Sequence, residues 1–300
     1  MTKVPQVFVP YKEVLALYNN GLKVPDDVTL MWSNDNFGYL TRLSNAEEQK
    51  RRGGAGVYYH ISYWGRPKGY LTICTQSPAL VYDQMKRAYD AGARRIWIVN
   101  VGDLKPGEFD TEFFLNLAWD INSVTPANIP DLTRKWYTDI FGENVGKQLA
   151  SVMMEYYRLA MERKPEHMGR NRVEETGYPK GNSPVLDCEF NPFENCDEVL
   201  RRMRAFDSLE TKVRQIATMV PERLDAAYSE LVLTPVVMAK GMNGKWLAAK
   251  KNHLFAKYGL PAANDYGRLS EQYTREAQSA CADYNKLLNG KWNLILKLNG

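Results

Sequence analysis

The chain has 300 residues, 44% of them hydrophobic and 25% charged, which supplies enough apolar surface for one or two buried cores and too much for a disordered polymer. Its 39 basic and 35 acidic side chains leave a formal charge of +4, far from the basic excess of a nucleic-acid binder. The four cysteines are scattered without Cys-x-x-Cys spacing, no signal peptide follows Met1 and no apolar run could span a bilayer, so zinc, redox, disulfide-framework and membrane classes all lack support.

Along the first 120 residues or so, short β-branched or aromatic runs alternate with amphipathic stretches, the pattern of strand-helix repeats around a parallel sheet. Gln6 to Val9 is a candidate strand, and Tyr11 to Tyr18 a helix with Glu13 near its start, where a carboxylate also suits the helix dipole. Val28 to Trp32 is a clear strand, followed by Asn34-Asp35-Asn36-Phe37-Gly38, locally a turn. Lys50-Arg51-Arg52 reads as a solvated face. Gly53-Gly54-Ala55-Gly56 lacks the Lys and Ser or Thr of a phosphate loop and precedes a strand, so it reads as backbone clearance. The next strand, Val57 to Ile61, carries Tyr58 and His60 and is followed by Tyr63; the third, Arg95 to Val101, carries Asn100 and leads to Asp103. Each of these three strands is expected to pass through a polar loop into a helical segment. One is Val81 to Tyr89, stopped by Gly92; another is Asp110 to Ala118, with Asp110 as its cap.

Beyond Trp119 a loop rich in Pro, Asn and Ser leads to Asp131, and helical periodicity takes over, which places a domain boundary between residues 130 and 131. Leu149, Met153, Tyr156, Tyr157 and Ala160 form one apolar stripe; others run from Val199 to Met219, Pro221 to Tyr258 and Ala262 to Leu288, as in a helical bundle. Lys164 to Pro192 reads as a long irregular crossing, and Arg201-Arg202 as a solvated face.

Amides, phenols and an imidazole collect where the strands run out, the end of a parallel barrel at which active sites form. Asn34, Asp35 and Asn36 follow one strand, Tyr58, His60 and Tyr63 another, and Asn100 and Asp103 the third. Amides and carboxylates pair with sugar hydroxyls while aromatic rings face the C–H side of a pyranose, so the mixture suits a carbohydrate. His60 by itself also has a reading as a structural histidine, and Asn100 to Asp103 is equally a strand-to-helix cap. The three histidines form no metal cluster and no Ser-His-Asp or Cys-His set can be assembled.

These residues carry a resemblance. Tyr11-Lys12-Glu13-Val14, Val24-Pro25-Asp26-Asp27-Val28-Thr29-Leu30, Asp35-Asn36-Phe37-Gly38, Gly53-Gly54-Ala55-Gly56-Val57-Tyr58-Tyr59-His60 and Ile96-Trp97-Ile98-Val99-Asn100-Val101-Gly102-Asp103-Leu104-Lys105-Pro106 resemble glycoside hydrolase family 115, the xylan α-glucuronidases, in order and spacing. Leu231-Val232-Leu233-Thr234-Pro235 and Tyr284-Asn285-Lys286-Leu287-Leu288 extend the resemblance into the helical half.

The resemblance implies the C-terminal part of a (β/α)8 TIM-type barrel over residues 1–130 and a helical bundle over 131–300. It implies inverting, cofactor-free and metal-free removal of (4-O-methyl)glucuronic acid α-1,2-linked to xylose in glucuronoxylan or its oligosaccharides. Inversion needs two carboxyl groups about 6.5–9.5 Å apart. Glu13 matches the general acid; Asn36, His60, Tyr63 and Asn100 match the sugar pocket, with Tyr58 a weaker member; Asp35 and Asp103 are the local candidates for a second carboxylate. The expected base belongs to barrel strands upstream of Met1, which makes the chain an incomplete catalytic unit. An inactive carbohydrate-binding or structural fragment is the alternative. The parent enzyme is expected to be exported to the periplasm or beyond and to bind no nucleic acid or membrane; a third reading makes residues 131–300 an interaction bundle that supports dimerisation or shapes the cleft. Where the family usually has Asp-Asp-Asn, this chain has Asn34-Asp35-Asn36, and Ile61-Ser62-Tyr63-Trp64-Gly65 also departs from the common pattern.

Overall fold

The computed structural model describes residues 4–63, 73–102, 104–169 and 188–296. It resolves into two compact units, one formed by Met1–Tyr63, Gln76–Gly102 and Phe109–Ile129, the other by Trp64–Thr75, Asp103–Glu108 and Pro130–Gly300. The second unit thus includes two short stretches from the half of the sequence before residue 130.

The first unit is built on a four-stranded sheet of β1 (Val7–Phe8), β2 (Thr29–Ser33), β3 (Ala55–His60) and β4 (Trp97–Asn100), paired in chain order. Every pairing is parallel, with Phe8 opposite Leu30, Trp32 opposite Val57 and His60 opposite Asn100. Parallel neighbours require each connection to cross the length of the sheet, so all four strands end at one edge. In β2, Thr29, Leu30, Met31 and Trp32 are all buried, the continuous burial of a strand covered on both faces.

Three helices belong with this sheet: α1 (Glu13–Asn19), α2 (Pro78–Asp90) and α3 (Glu108–Trp119). The Ser77 hydroxyl accepts the Ala79 N–H at the start of α2, Pro78 occupies its first turn, and Gly92 follows its end at φ 82°. Two expectations are corrected. Asp110 does not cap α3; the helix begins two residues earlier, and Asp110 is buried inside its first turn. Nor does an α-helix follow β2: the connection holds a single 3-10 turn, Glu48–Lys50, whose N–H groups at Glu47 and Glu48 are accepted by Asn45 Oδ1. The turn is stopped by Gly53 and Gly54, the latter at φ 64°.

The glycine run provides clearance. A Cβ on Gly53 would lie 2.4 Å from the Val28 carbonyl oxygen, and one on Gly56 would lie 2.2 Å from that of Ile96. Gly56→Ala therefore forces β3 away from Ile96 at the start of the β3–β4 pairing. We expect a loss of about 1–3 kcal/mol, read as a lower urea midpoint at unchanged slope; an unaltered midpoint would show that the sheet yields there at no cost.

The second unit contains α4 (Ile129–Phe141), α5 (Glu143–Glu162), α6 (Glu198–Ala217), the short α7 (Asp225–Tyr228), which runs through a π-helical turn into α8 (Thr234–Lys257), and α9 (Ala263–Gly290). The predicted stripe of Leu149, Met153, Tyr156, Tyr157 and Ala160 is buried. Helices α8 and α9 approach closely where Gly241 and Gly244 lie against Ala277 and Tyr273; a Cβ on Gly244 would stand 2.3 Å from the Tyr273 ring. Most of the expected crossing from Lys164 to Pro192 lies outside the described residues.

Arg202 overturns the reading of Arg201-Arg202 as a solvated face, since Arg201 is exposed but Arg202 is buried. Its guanidinium donates to Asn243 Oδ1 at 2.7 Å, Leu159 O at 3.1 Å and Arg163 O at 2.5 Å. This buried fork from α6 thus meets two carbonyls where α5 ends: Leu159 O, which also accepts the Arg163 N–H, and the carbonyl of Arg163 just past the helix. Burial draws the guanidinium down to about 10, which still leaves it charged at neutral pH.

Candidate active site

The carboxyl edge of the sheet brings together side chains from all four strand ends. His60, the last residue of β3, lies at the centre of this cluster and is 6% exposed. The Tyr11 ring stacks on its imidazole at 5.7 Å with an interplanar angle of 26°, Tyr58 meets it edge-on at 4.8 Å, and Tyr63 lies at 5.1 Å. Asn34, just past β2 and fully buried, accepts the His60 main-chain N–H at 2.8 Å and donates to the His60 carbonyl at 3.0 Å. The same amide oxygen lies 2.9 Å from His60 Nδ1. From β4, Asn100 donates through Nδ2 to the Tyr58 hydroxyl at 2.9 Å and accepts the Gly102 N–H at 3.1 Å.

Three features hold α1, the helix that begins with Glu13. Lys12 adopts φ 51°, ψ −122°, unusual for a residue with a side chain, and this kink starts α1. Its ammonium lies 5.2 Å from the Tyr63 ring and 5.5 Å from that of Tyr11. At the other end of α1, the Tyr18 hydroxyl donates to Glu48 Oε1 at 2.9 Å, and Arg42 grips the same carboxylate with both terminal nitrogens at 2.6 and 2.8 Å. Burial works against this carboxylate's charge, but the hydrogen bonds from Arg42, the Asn45 N–H and Tyr18 prevail and hold its carboxyl below the usual range. Arg42 in turn lies 4.7 Å over the Trp32 ring of β2, so α1 is tied to the strand that carries the Asn34 loop.

The family model described as Glycosyl hydrolase family 115 matches residues 1–167. The chain belongs to glycoside hydrolase family 115. A solved structure described as that of a novel family 115 4-O-methyl-α-glucuronidase with specificity for decorated arabinogalactans is similar to it at a TM-score of 0.83 and 41% sequence identity. That likeness covers 98% of this chain and 37% of the other, so the family 115 chain spans just over a third of that protein's length. No curated protein matches it significantly.

In this family 115 chain the sequence-selected residues fall into three groups. Tyr58, His60, Tyr63 and Asn100 form one connected set. Asn36 is buried in the loop after β2, and Glu13 is exposed at the first position of α1. Asp35 spends Oδ1 on its own loop, accepting the N–H groups of Phe37 and Tyr39 at 2.9 Å each, with Gly38 at φ 97° completing the turn. Asp103 lies outside the described residues. Tyr11 and Lys12 went unassigned in the sequence, and Asn34 was placed at a strand end without a role. The first two are adjacent to Glu13 in the motif, a usable signal; the Asn34 contact joins residues 26 apart and had none.

Burial first, and the Lys12 charge second, draw the His60 imidazole from 6.5 down to about 4. A depressed value means that the unfolded chain binds a proton the folded chain refuses between those limits. Stability is therefore whole above about pH 6.5 and declines as pH falls toward 4, by about 3 kcal/mol in all. A His60→Gln variant is expected to lose that part of the slope. Urea midpoints of the two proteins taken from pH 4 to 7 check it, and parallel curves would exclude the buried neutral imidazole.

Proposed function

We propose that this chain supplies the general acid and part of the sugar pocket of an α-glucuronidase that releases (4-O-methyl)glucuronic acid from xylan-type polysaccharide with inversion. The single observation that carries the reading is the convergence on His60, in a family 115 chain, of amides and aromatic rings from every strand of a parallel sheet. The sheet is read as the C-terminal portion of a (β/α)8 barrel and the second unit as a helical bundle, with further strands supplying the rest of the wall.

In this reading the Tyr11, Tyr58 and Tyr63 rings form the apolar platform, and Asn36, Asn100 and His60 hydrogen-bond the sugar hydroxyls. The positive charge of Lys12, already beside Tyr63, is the partner for the uronate carboxylate. Glu13, next in the chain, protonates the departing xylose oxygen. The second carboxyl would activate water on the opposite face of the ring. Asp35, with one oxygen held by its turn, is a poor choice for that role, and we assign the base to a part of the parent protein beyond the described residues. A polysaccharide substrate of this kind places the parent enzyme in the periplasm or outside the cell.

The related 4-O-methyl-α-glucuronidase is described as specific for decorated arabinogalactans, which favours a second reading in which the same uronate is cut from a galactan rather than a xylan. Incubation of the full parent protein, which carries the base, with glucuronoxylan and with glucuronate-bearing arabinogalactan, followed by proton NMR, distinguishes the two. An inverting enzyme first shows the β-anomer of the released acid. Glu13→Gln should lower the rate by about 10²–10⁴-fold on whichever substrate is cut. Undiminished release by the variant would remove Glu13 from the mechanism. Absence of release by either protein would favour the binding or structural role instead.

A further inference from the structure

The orientation of the Asn34 amide follows from main-chain chemistry alone. The His60 N–H can only donate, so the Asn34 atom 2.8 Å from it is the amide oxygen; the His60 carbonyl can only accept, so the atom 3.0 Å from it is the amide nitrogen. That oxygen also lies 2.9 Å from His60 Nδ1. An amide oxygen has no proton to give, so the contact is a hydrogen bond only if Nδ1 carries one. In the neutral ring the second nitrogen, Nε2, then holds a lone pair.

The other groups packed on the ring do not compete for this assignment. Tyr11 and Tyr63 are in ring contact with the imidazole, from the segment before α1 and the segment after β3, and Tyr58 meets it edge-on. Asn100 of β4 is engaged with the Tyr58 hydroxyl and the Gly102 N–H. The charged group acting on the ring is Lys12, whose positive charge opposes a second proton. Burial acts in the same direction.

We propose that Asn34 is a positioning residue that makes His60 a standing hydrogen-bond acceptor, holding the proton on Nδ1 so that Nε2 receives a hydrogen bond from a sugar hydroxyl. The sugar ligand rests on the glucuronidase reading; the proton position does not. A carboxylate at residue 34 would act differently. It would place a negative oxygen at Nδ1, favour the doubly protonated ring in which both nitrogens are donors, and have no N–H for the buried His60 carbonyl. The amide is thus the side chain that satisfies both main-chain groups while leaving the ring neutral.

Long-range proton-nitrogen correlation spectra of the purified, nitrogen-15-labelled protein test this directly. The chain has three histidines, and the His60→Gln spectrum identifies the His60 signals by their loss. The wild-type protein between pH 5 and 7 should show Nδ1 at a protonated and Nε2 at an unprotonated shift. Asn34→Asp should raise the His60 titration midpoint by about one to three pH units. Asn34→Ala should move the ring toward the Nε2-protonated form, a change that a merely space-filling Asn34 would not cause. A wild-type spectrum with the proton on Nε2 overturns the proposal, and it does so even if the Asn34 variants fail to fold. Adding a xylo-oligosaccharide that bears 4-O-methylglucuronic acid should shift Nε2 selectively. The expected proton position without that shift would overturn the sugar-recognition half and count against the xylan substrate, while the role of Asn34 in placing the proton would stand.

Discussion

Parallel pairing in chain order is the constraint on which the first unit depends. Because β1 to β4 are neighbours in sequence and run the same way, their four carboxyl ends share one edge. Residues separated by 26 to 42 positions then become direct hydrogen-bond partners there, as in Asn34 with His60 and Tyr58 with Asn100. Close strand approach is part of this arrangement: Gly53 and Gly56 allow backbone from neighbouring segments to pass where a methyl group would collide. Clearance on one side of the sheet and chemistry at its end are therefore two results of the same pairing.

Burial of polar groups decides what the edge can do. His60 and Asn34 are both removed from water, and the Asn34 side-chain amide meets the His60 main-chain N–H, its carbonyl and its Nδ1. Such a pair is rigid, because moving either member would leave a buried donor or acceptor unmade, at a cost of about 1–3 kcal/mol. The aromatic rings of Tyr11, Tyr58 and Tyr63 complete the enclosure and lower the polarity around the imidazole. Glu13 is placed differently, on the exposed start of α1, and its position depends on a strained Lys12 at one end of that helix and the Tyr18–Glu48–Arg42 network at the other. Glu13 and the cluster around His60 are thus held by separate devices.

The second unit shows the same economy with buried charge. Arg202 spans three helices because its fork reaches two carbonyls at the end of α5 and the amide of Asn243 on α8. In the sequence its neighbour Arg201 and the nearby acids made it look like a surface residue. One position on a helix is about 100° from the next, so adjacent arginines face different surroundings, and a pair of identical letters concealed opposite environments.

Sequence by itself determined the strands and most helices and picked out the candidate site. Alternating runs marked β2, β3 and β4, the stripe from Leu149 to Ala160 marked α5, and the polar residues after each strand marked the candidate site. Those features are local, carried by periodicity and by residue type within a few positions. Tertiary structure decided the rest. It replaced the expected helix after β2 with one 3-10 turn, moved the start of α3 away from Asp110, and gave Asp35 to its own loop. It also made Asn34 the partner of His60 and buried Arg202, because hydrogen-bond partners and desolvation are properties of what packs nearby in space, and chain position alone does not specify them.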